Sequence, residues 1–160
     1  MPASNYWLVK SEPETFSFND LLASPKKTTH WDGVRNFAAR NHLRAMRAGD
    51  LVFFYHSSAK PAAIVGVAEV AREAYPDASA FDSADSHFDP KSKRDDPTWF
   101  MVDIRAVEAL PRPVTLDEVK QTKGLENMAL VRLGRLSVQP VTAREYETIR
   151  KLAAKPPRER

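Results

Sequence analysis

Three short runs in this chain carry side chains that could do chemistry, and all three suit recognition better than bond-making. The first is Trp31-Asp32-Gly33-Val34-Arg35-Asn36, a tryptophan in an otherwise polar connection just ahead of a basic segment. An indole face in such a place can stack on a nucleobase, while Asn36 supplies hydrogen bonds and nearby arginines meet phosphates. It can equally close the end of a barrel as peripheral core, and residue types alone leave the two readings level. The second run is Tyr55-His56-Ser57 at the end of an apolar stretch. Tyrosine offers a second stacking face and serine a compact donor and acceptor, although taken alone the run reads more simply as the start of a hairpin turn. The third is Lys10-Ser11-Glu12-Pro13, a polar cluster that could meet a base edge and that a plain strand terminus explains as well.

Catalysis has little to work with. The four histidines, His30, His42, His56 and His87, sit in no recognisable triad, P-loop or zinc motif. Asp82, Asp85, His87 and Asp89 have the density of a metal cluster, yet the glycine and terminal glutamate of a calcium loop are missing, so no metal is expected. A His56 base oriented by Glu12 or Asp50 is the one catalytic hypothesis the residues allow. The expectation is a non-enzyme without a cofactor.

The elements that must position these runs follow from patterning. Tyr6 to Lys10 reads as a strand ended by Pro13, and Ser17 with Asp20 starts a short helix through Leu22 that Pro25 breaks. Lys26 to Arg35 is turn-like. Asn36 to Met46 has helical periodicity, with Phe37, Leu43 and Met46 near one face and Gly49 as a stop. Leu51 to His56 and Ile64 to Val70 form an antiparallel pair across the loop Ser57 to Pro61. Tyr75 to Pro97, with three prolines and the basic run Lys91 to Arg94, reads as a long ordered loop. Trp99 to Val107 and Leu136 to Val141 are further strands, and Thr115 with Glu118 and Thr142 with Glu145 start two more helices. Strands mixed with short helices and no regular βαβ alternation indicate an α+β barrel or curled sheet.

Composition narrows the setting. The 160 residues, 42% hydrophobic and 28% charged, suit a single domain over residues 1–153 with a flexible charged tail over 154–160. Without cysteine or a charged start leading into an apolar run, the expected location is the cytoplasm, with nucleoid association, or the nucleus in a eukaryote. No apolar stretch approaches the ~20 residues that span a bilayer. The net charge is +3 and the pI about 9.2. Arg35, Arg40, Lys91 and Lys93 are the candidates for phosphate contacts, although a solvated charged surface explains any one of them more simply.

Several motifs in one order resemble the EVE domain family: Tyr6 to Pro13, Trp31 to Asn36, Gly49 to Ser57, Gly66 to Val70, Phe88 to Ser92, Trp99 to Val102 and Arg135 to Val138. The resemblance spans Tyr6 to about Leu152. It implies a PUA-like β-barrel, a mixed and mostly antiparallel sheet with short flanking helices, related to the YTH readers of methylated adenine. It further implies a pocket for a modified base in which Lys10, Ser11 and Trp31 resemble YTH pocket positions and Ser57 and Gly66 to Glu69 sit in the comparable hairpin; residue type adds Asn36, Tyr55 and His56 to that pocket. YTH domains place further cage aromatics after the hairpin that have no counterpart here, so the cage is more open, with Tyr55 a candidate replacement. The implied ligand is 5-methylcytosine or 5-hydroxymethylcytosine in DNA, bound by a monomer. An RNA-binding module tied to RNA modification, or a binder of a small nucleotide-like ligand, are the alternatives.

Overall fold

The computed structural model describes residues 5–156. Its frame is one mixed sheet of β1 (Tyr6–Ser11), β2 (Thr28–Trp31), β3 (Leu51–His56), β4 (Ala63–Pro76), β5 (Phe100–Thr115) and β6 (Val138–Val141). The spatial order is β2-β5-β4-β3-β1-β6. Only β1 and β3 pair in parallel. A parallel pair needs a crossover. Here it is a long excursion that carries α1 (Phe18–Ala23), β2 and α2 (Phe37–Ala45). Trp31 to Asn36 lies inside this excursion, and the parallel register sets His56, at the end of β3, beside Ser11, where the excursion begins.

β1 and β3 read as nearly unbroken apolar runs because both faces of the sheet are covered. Trp7, Val9, Val52 and Phe54 enter one core with Phe18, Leu21, Leu43, Met46, Val102 and Ile104. Leu8, Phe53 and Tyr55 enter the other, beneath α3 (Leu116–Gln121), α4 (Ala129–Arg132) and α5 (Ala143–Ala153). At Gly66 an added Cβ would lie 2.5 Å from the Phe18 ring. Glycine there lets α1 settle directly on the sheet. Buried Asp50 ties β1 to the turn before β3, since one of its carboxylate oxygens accepts from Trp7 Nε1 at 2.9 Å and from the Arg47 amide at 3.0 Å.

Two expectations from the sequence need correction. Lys26 to Arg35 is not all turn, because Thr28 to Trp31 pairs with Arg105 to Val102 of β5. Its polar side chains give no alternation signal, and the ladder with β5 is what makes it a strand. β4 and β5 also run well past Val70 and Val107, through a pairing whose register shifts at four places. Such bulges bend a strand pair. The sheet curls accordingly, and β2 and β6 remain its two edges, so the curl does not close into a barrel.

The helix starts follow the caps. Ser17 and Asp20 close a capping box on α1, as do Thr142 and Glu145 on α5, and Thr115 accepts from the Glu118 amide at the start of α3. Thr142→Ala is expected to lower stability by about 1 kcal/mol. The shift would appear as a lower denaturant midpoint at unchanged slope, with Thr142→Ser close to the parent. Of the tail from Ala154, residues 157–160 lie outside the described residues. Among the described residues no helix is long and apolar enough to cross a membrane.

Candidate functional site

Where the chain leaves β1, five segments enclose a cavity of about 430 Å³. That is within the ~300–1,000 Å³ usual for ligand pockets. The end of β1 and the following turn contribute Lys10, Ser11, Glu12, Thr15 and Phe16; β2 contributes Thr29, His30 and Trp31. The next loop adds Asp32 to Arg35, and His87 and Ser137 complete the wall.

Trp31 is the largest side chain in it. Its ring meets Phe54 edge-on at 5.5 Å and Phe16 edge-on at 6.4 Å. Two near-perpendicular contacts fix the plane of an indole better than one stack does. Trp31 itself is half-buried, so part of the indole faces the cavity. The Phe16 wall is set by a tight turn: the Thr15 and Phe16 amides both donate to the Glu12 carbonyl at 2.9 Å, and Ser11 Oγ donates to the Phe16 carbonyl at 2.6 Å.

The opposite wall is organised by Asp77, which follows β4 and whose side chain is wholly buried. One carboxylate oxygen accepts from the Gly33 amide at 2.8 Å and from Arg35 Nη1 at 3.0 Å; the other accepts from the Ser79 amide and hydroxyl. Burial pushes this carboxyl up, but the hydrogen bonds from Ser79, Gly33 and Arg35 outweigh it and leave its pKa below the ordinary 3.8. Arg35 also donates twice to the His87 carbonyl, at 3.0 and 2.7 Å, and so pulls the loop after β4 against the cavity. Gly33, at φ +78°, lies flat under the His87 ring, where a Cβ would be 2.8 Å away. Glycine is required there for both reasons.

The structure brings Lys10, Ser11, Trp31 and Arg35 to one cavity. The side chains of the other expected pocket residues are engaged elsewhere. Asn36 accepts from the Ala39 amide as the N-cap of α2. Tyr55 is buried in the second core, on the far side of the sheet from Phe54. His56 Nε2 accepts from the Phe18 amide at 3.1 Å, and burial lowers its pKa, which keeps the ring neutral as that bond requires. Ser57 reaches the area only through its amide, which donates to the Ser11 carbonyl. Among the described residues no carboxylate is hydrogen-bonded to His56, and Asp50 accepts from Trp7 and Arg47 instead. Even within the cavity wall, Lys10 turns its ammonium away, donating to the Gly134 carbonyl at 2.6 Å, and burial lowers its pKa.

The four candidate phosphate contacts divide in the same way. Arg35 is internal, and Arg40 donates to the Thr98 carbonyl and the Asn41 side chain. Lys91 and Lys93 are exposed, with no side-chain partner among the described residues. Phe16, His87 and Asp77 are the contributors that patterning missed. Only Asp77 leaves a trace in the sequence, as the Asp-Ala-Ser start of a short turn after Pro76.

The EVE domain family model matches residues 5–152. The chain belongs to the EVE domain family. This EVE domain is 48% identical to thymocyte nuclear protein 1 of Rattus norvegicus over 91% of its own length and 72% of that protein. It superposes on the human THYN1 protein in complex with 5-methylcytosine containing DNA with a TM-score of 0.92 and 44% identity, covering 96% of this chain and 100% of the other. The YTH domain of Zygosaccharomyces rouxii MRB1 protein, in complex with N6-methyladenosine RNA, matches with a TM-score of 0.54 at 18% identity over 98% of this chain and 88% of the other. At that identity the likeness extends to the fold alone, which is PUA-like.

Proposed function

We propose that this EVE domain reads 5-methylcytosine in DNA by taking the base out of its stack and holding it in the cavity beside Trp31. The carrying observation is the cavity itself, a recess with room for a base, whose indole is pinned by Phe16 and Phe54. The human relative that superposes along nearly the whole chain is bound to DNA with this modification. A flipped base needs an aromatic face and a few polar groups at its edge. Trp31 provides the face. The cytosine amino group is a donor, and Glu12 and Asp32 bring carboxylate acceptors to the cavity.

Burying one methyl group against this wall is worth about 0.8 kcal/mol, roughly a four-fold preference over plain cytosine. A hydroxymethyl group would need a polar partner. Of Ser11, His56 and Ser57, only Ser11 lines the cavity, and its proton is committed to Phe16. Glu12 and Asp32 can accept from such a hydroxyl as well, so the choice of 5-methyl rests on the ligand of the human relative. Lys91 and Lys93 take phosphates, and the domain acts by binding, without turnover, as a monomer whose one copy supplies the whole cavity. Its place is wherever genomic DNA is, a nucleoid or a nucleus.

The test is competition binding at one stated salt concentration, with oligonucleotides carrying cytosine, 5-methylcytosine, 5-hydroxymethylcytosine or N6-methyladenine, as DNA and as RNA. The 5-methylcytosine DNA should bind best, by about four-fold or more over cytosine. Equal binding of all would sink the proposal, and a preference for RNA would move the ligand class to RNA.

A further inference from the structure

Phe37, the first residue of α2, is 59% exposed, the most exposed large apolar side chain among the described residues. Nothing in its own fold covers it, yet it is held in place. Its ring stacks on Trp99 at 5.0 Å with an interplanar angle of 24°, and the Arg40 guanidinium lies 5.0 Å from its centroid. Trp99 is itself buried and anchored, its Nε1 donating to Asp89 at 2.7 Å, and Arg40 is fixed by donating to the Thr98 carbonyl. An exposed ring on a rigid aromatic base is a stiff projection.

Its position relates it to the cavity. Phe37 follows Arg35 by two residues, so their Cα atoms lie within about 7 Å of each other, and the Arg35 guanidinium is 5.4 Å from the Trp99 ring. The projection therefore stands next to the part of the cavity wall that Arg35 forms. α2 carries no acidic residue, and Arg40 lies against Phe37 one turn further along it. Apolar surface framed by cations suits a polyanion with π faces inside it.

We propose that Phe37 enters the DNA duplex at the step vacated by the extruded cytosine. This inference rests on the reading of the cavity as a base pocket. Extrusion leaves a gap between neighbouring base pairs and sacrifices their stacking. Phenylalanine is a usual wedge at such steps, because its apolar edge fills the gap and keeps it from closing on the returning base. A single strand has no such gap, so Phe37 acts only on duplex DNA.

The experiment compares parent, Phe37→Ala and Phe37→Tyr for binding to one 5-methylcytosine oligonucleotide, single-stranded and as a duplex, at the same salt. Phe37→Ala should bind the duplex about ten-fold more weakly and the single strand as the parent does, and Phe37→Tyr should restore duplex binding. A duplex affinity unchanged by Phe37→Ala would overturn the wedge while leaving the pocket standing. Equal losses on both substrates would also overturn it, by showing that Phe37 acts through the pocket or the fold. If the parent itself does not prefer 5-methylcytosine in either form, the pocket reading fails and takes the wedge with it.

Discussion

Replacing Asp77 with alanine is expected to cost about 3 kcal/mol of folding stability, the lower end of what removing one partner of a buried ion pair costs. The lower end applies because Arg35 would keep its bonds to Ser79 and to the His87 carbonyl, and its side chain is 22% exposed. The Gly33 amide would lose its acceptor in the same step. Binding of the modified oligonucleotide should weaken in parallel, because the loop that Asp77 holds forms the cavity wall from Gly33 to Arg35. Asp77→Asn retains an acceptor but not the charge, and should fall between the two. The pH dependence supplies a separate check. The folded carboxyl lies below the ordinary 3.8, so the unfolded chain binds the proton first as pH falls. The contribution of Asp77 is therefore complete at neutral pH and disappears as pH drops below about 4 through the folded value. Denaturation at neutral pH should separate parent and variant widely, and the gap should narrow in acid. A neutral-pH loss under about 1 kcal/mol would show that Asp77 does not hold the loop.

The same residues show where a linear reading of the chain stops. The apolar runs of β1 and β3 and the caps Ser17 and Thr142 could be read directly, because period and cap chemistry are local properties. β2 could not, since a strand of Thr-Thr-His-Trp exists through its partner on β5. At the site, Trp31 and Ser11 could be found from residue type, whereas Tyr55 and Phe54 could not be told apart. Successive strand residues point to opposite faces. Both are aromatic, and only the tertiary arrangement decides that Phe54 supports Trp31 while Tyr55 joins the second core. Asn36 shows a related ambiguity, since the side chain that suits a base edge suits a helix N-cap equally well, and the nearby amide of Ala39 takes it. Phe16 and His87 reach the cavity through a turn and a long loop whose paths are set by hydrogen bonds to Ser11, Glu12 and Arg35. No spacing in the sequence encodes those contacts.

Trp31→Ala is the substitution expected to remove the preference for the modified base. Stacking of a base on an aromatic side chain is worth about 1–3 kcal/mol, so affinity for the 5-methylcytosine oligonucleotide should fall by roughly 10- to 100-fold. The indole also packs on Phe16 and Phe54, and stability will fall as well, so affinity alone does not separate the two roles. Salt dependence and selectivity do. Phosphate contacts determine how steeply log K falls with log salt, and Lys91 and Lys93 stand on a different loop from Trp31. A lost stack should therefore lower log K at every salt concentration by the same amount, leaving the slope unchanged and making modified and unmodified DNA bind alike. Trp31→Phe keeps an aromatic face and should retain part of the discrimination. If Trp31→Ala is less stable but still prefers 5-methylcytosine by the parent's ratio, the indole is core packing and the base sits elsewhere.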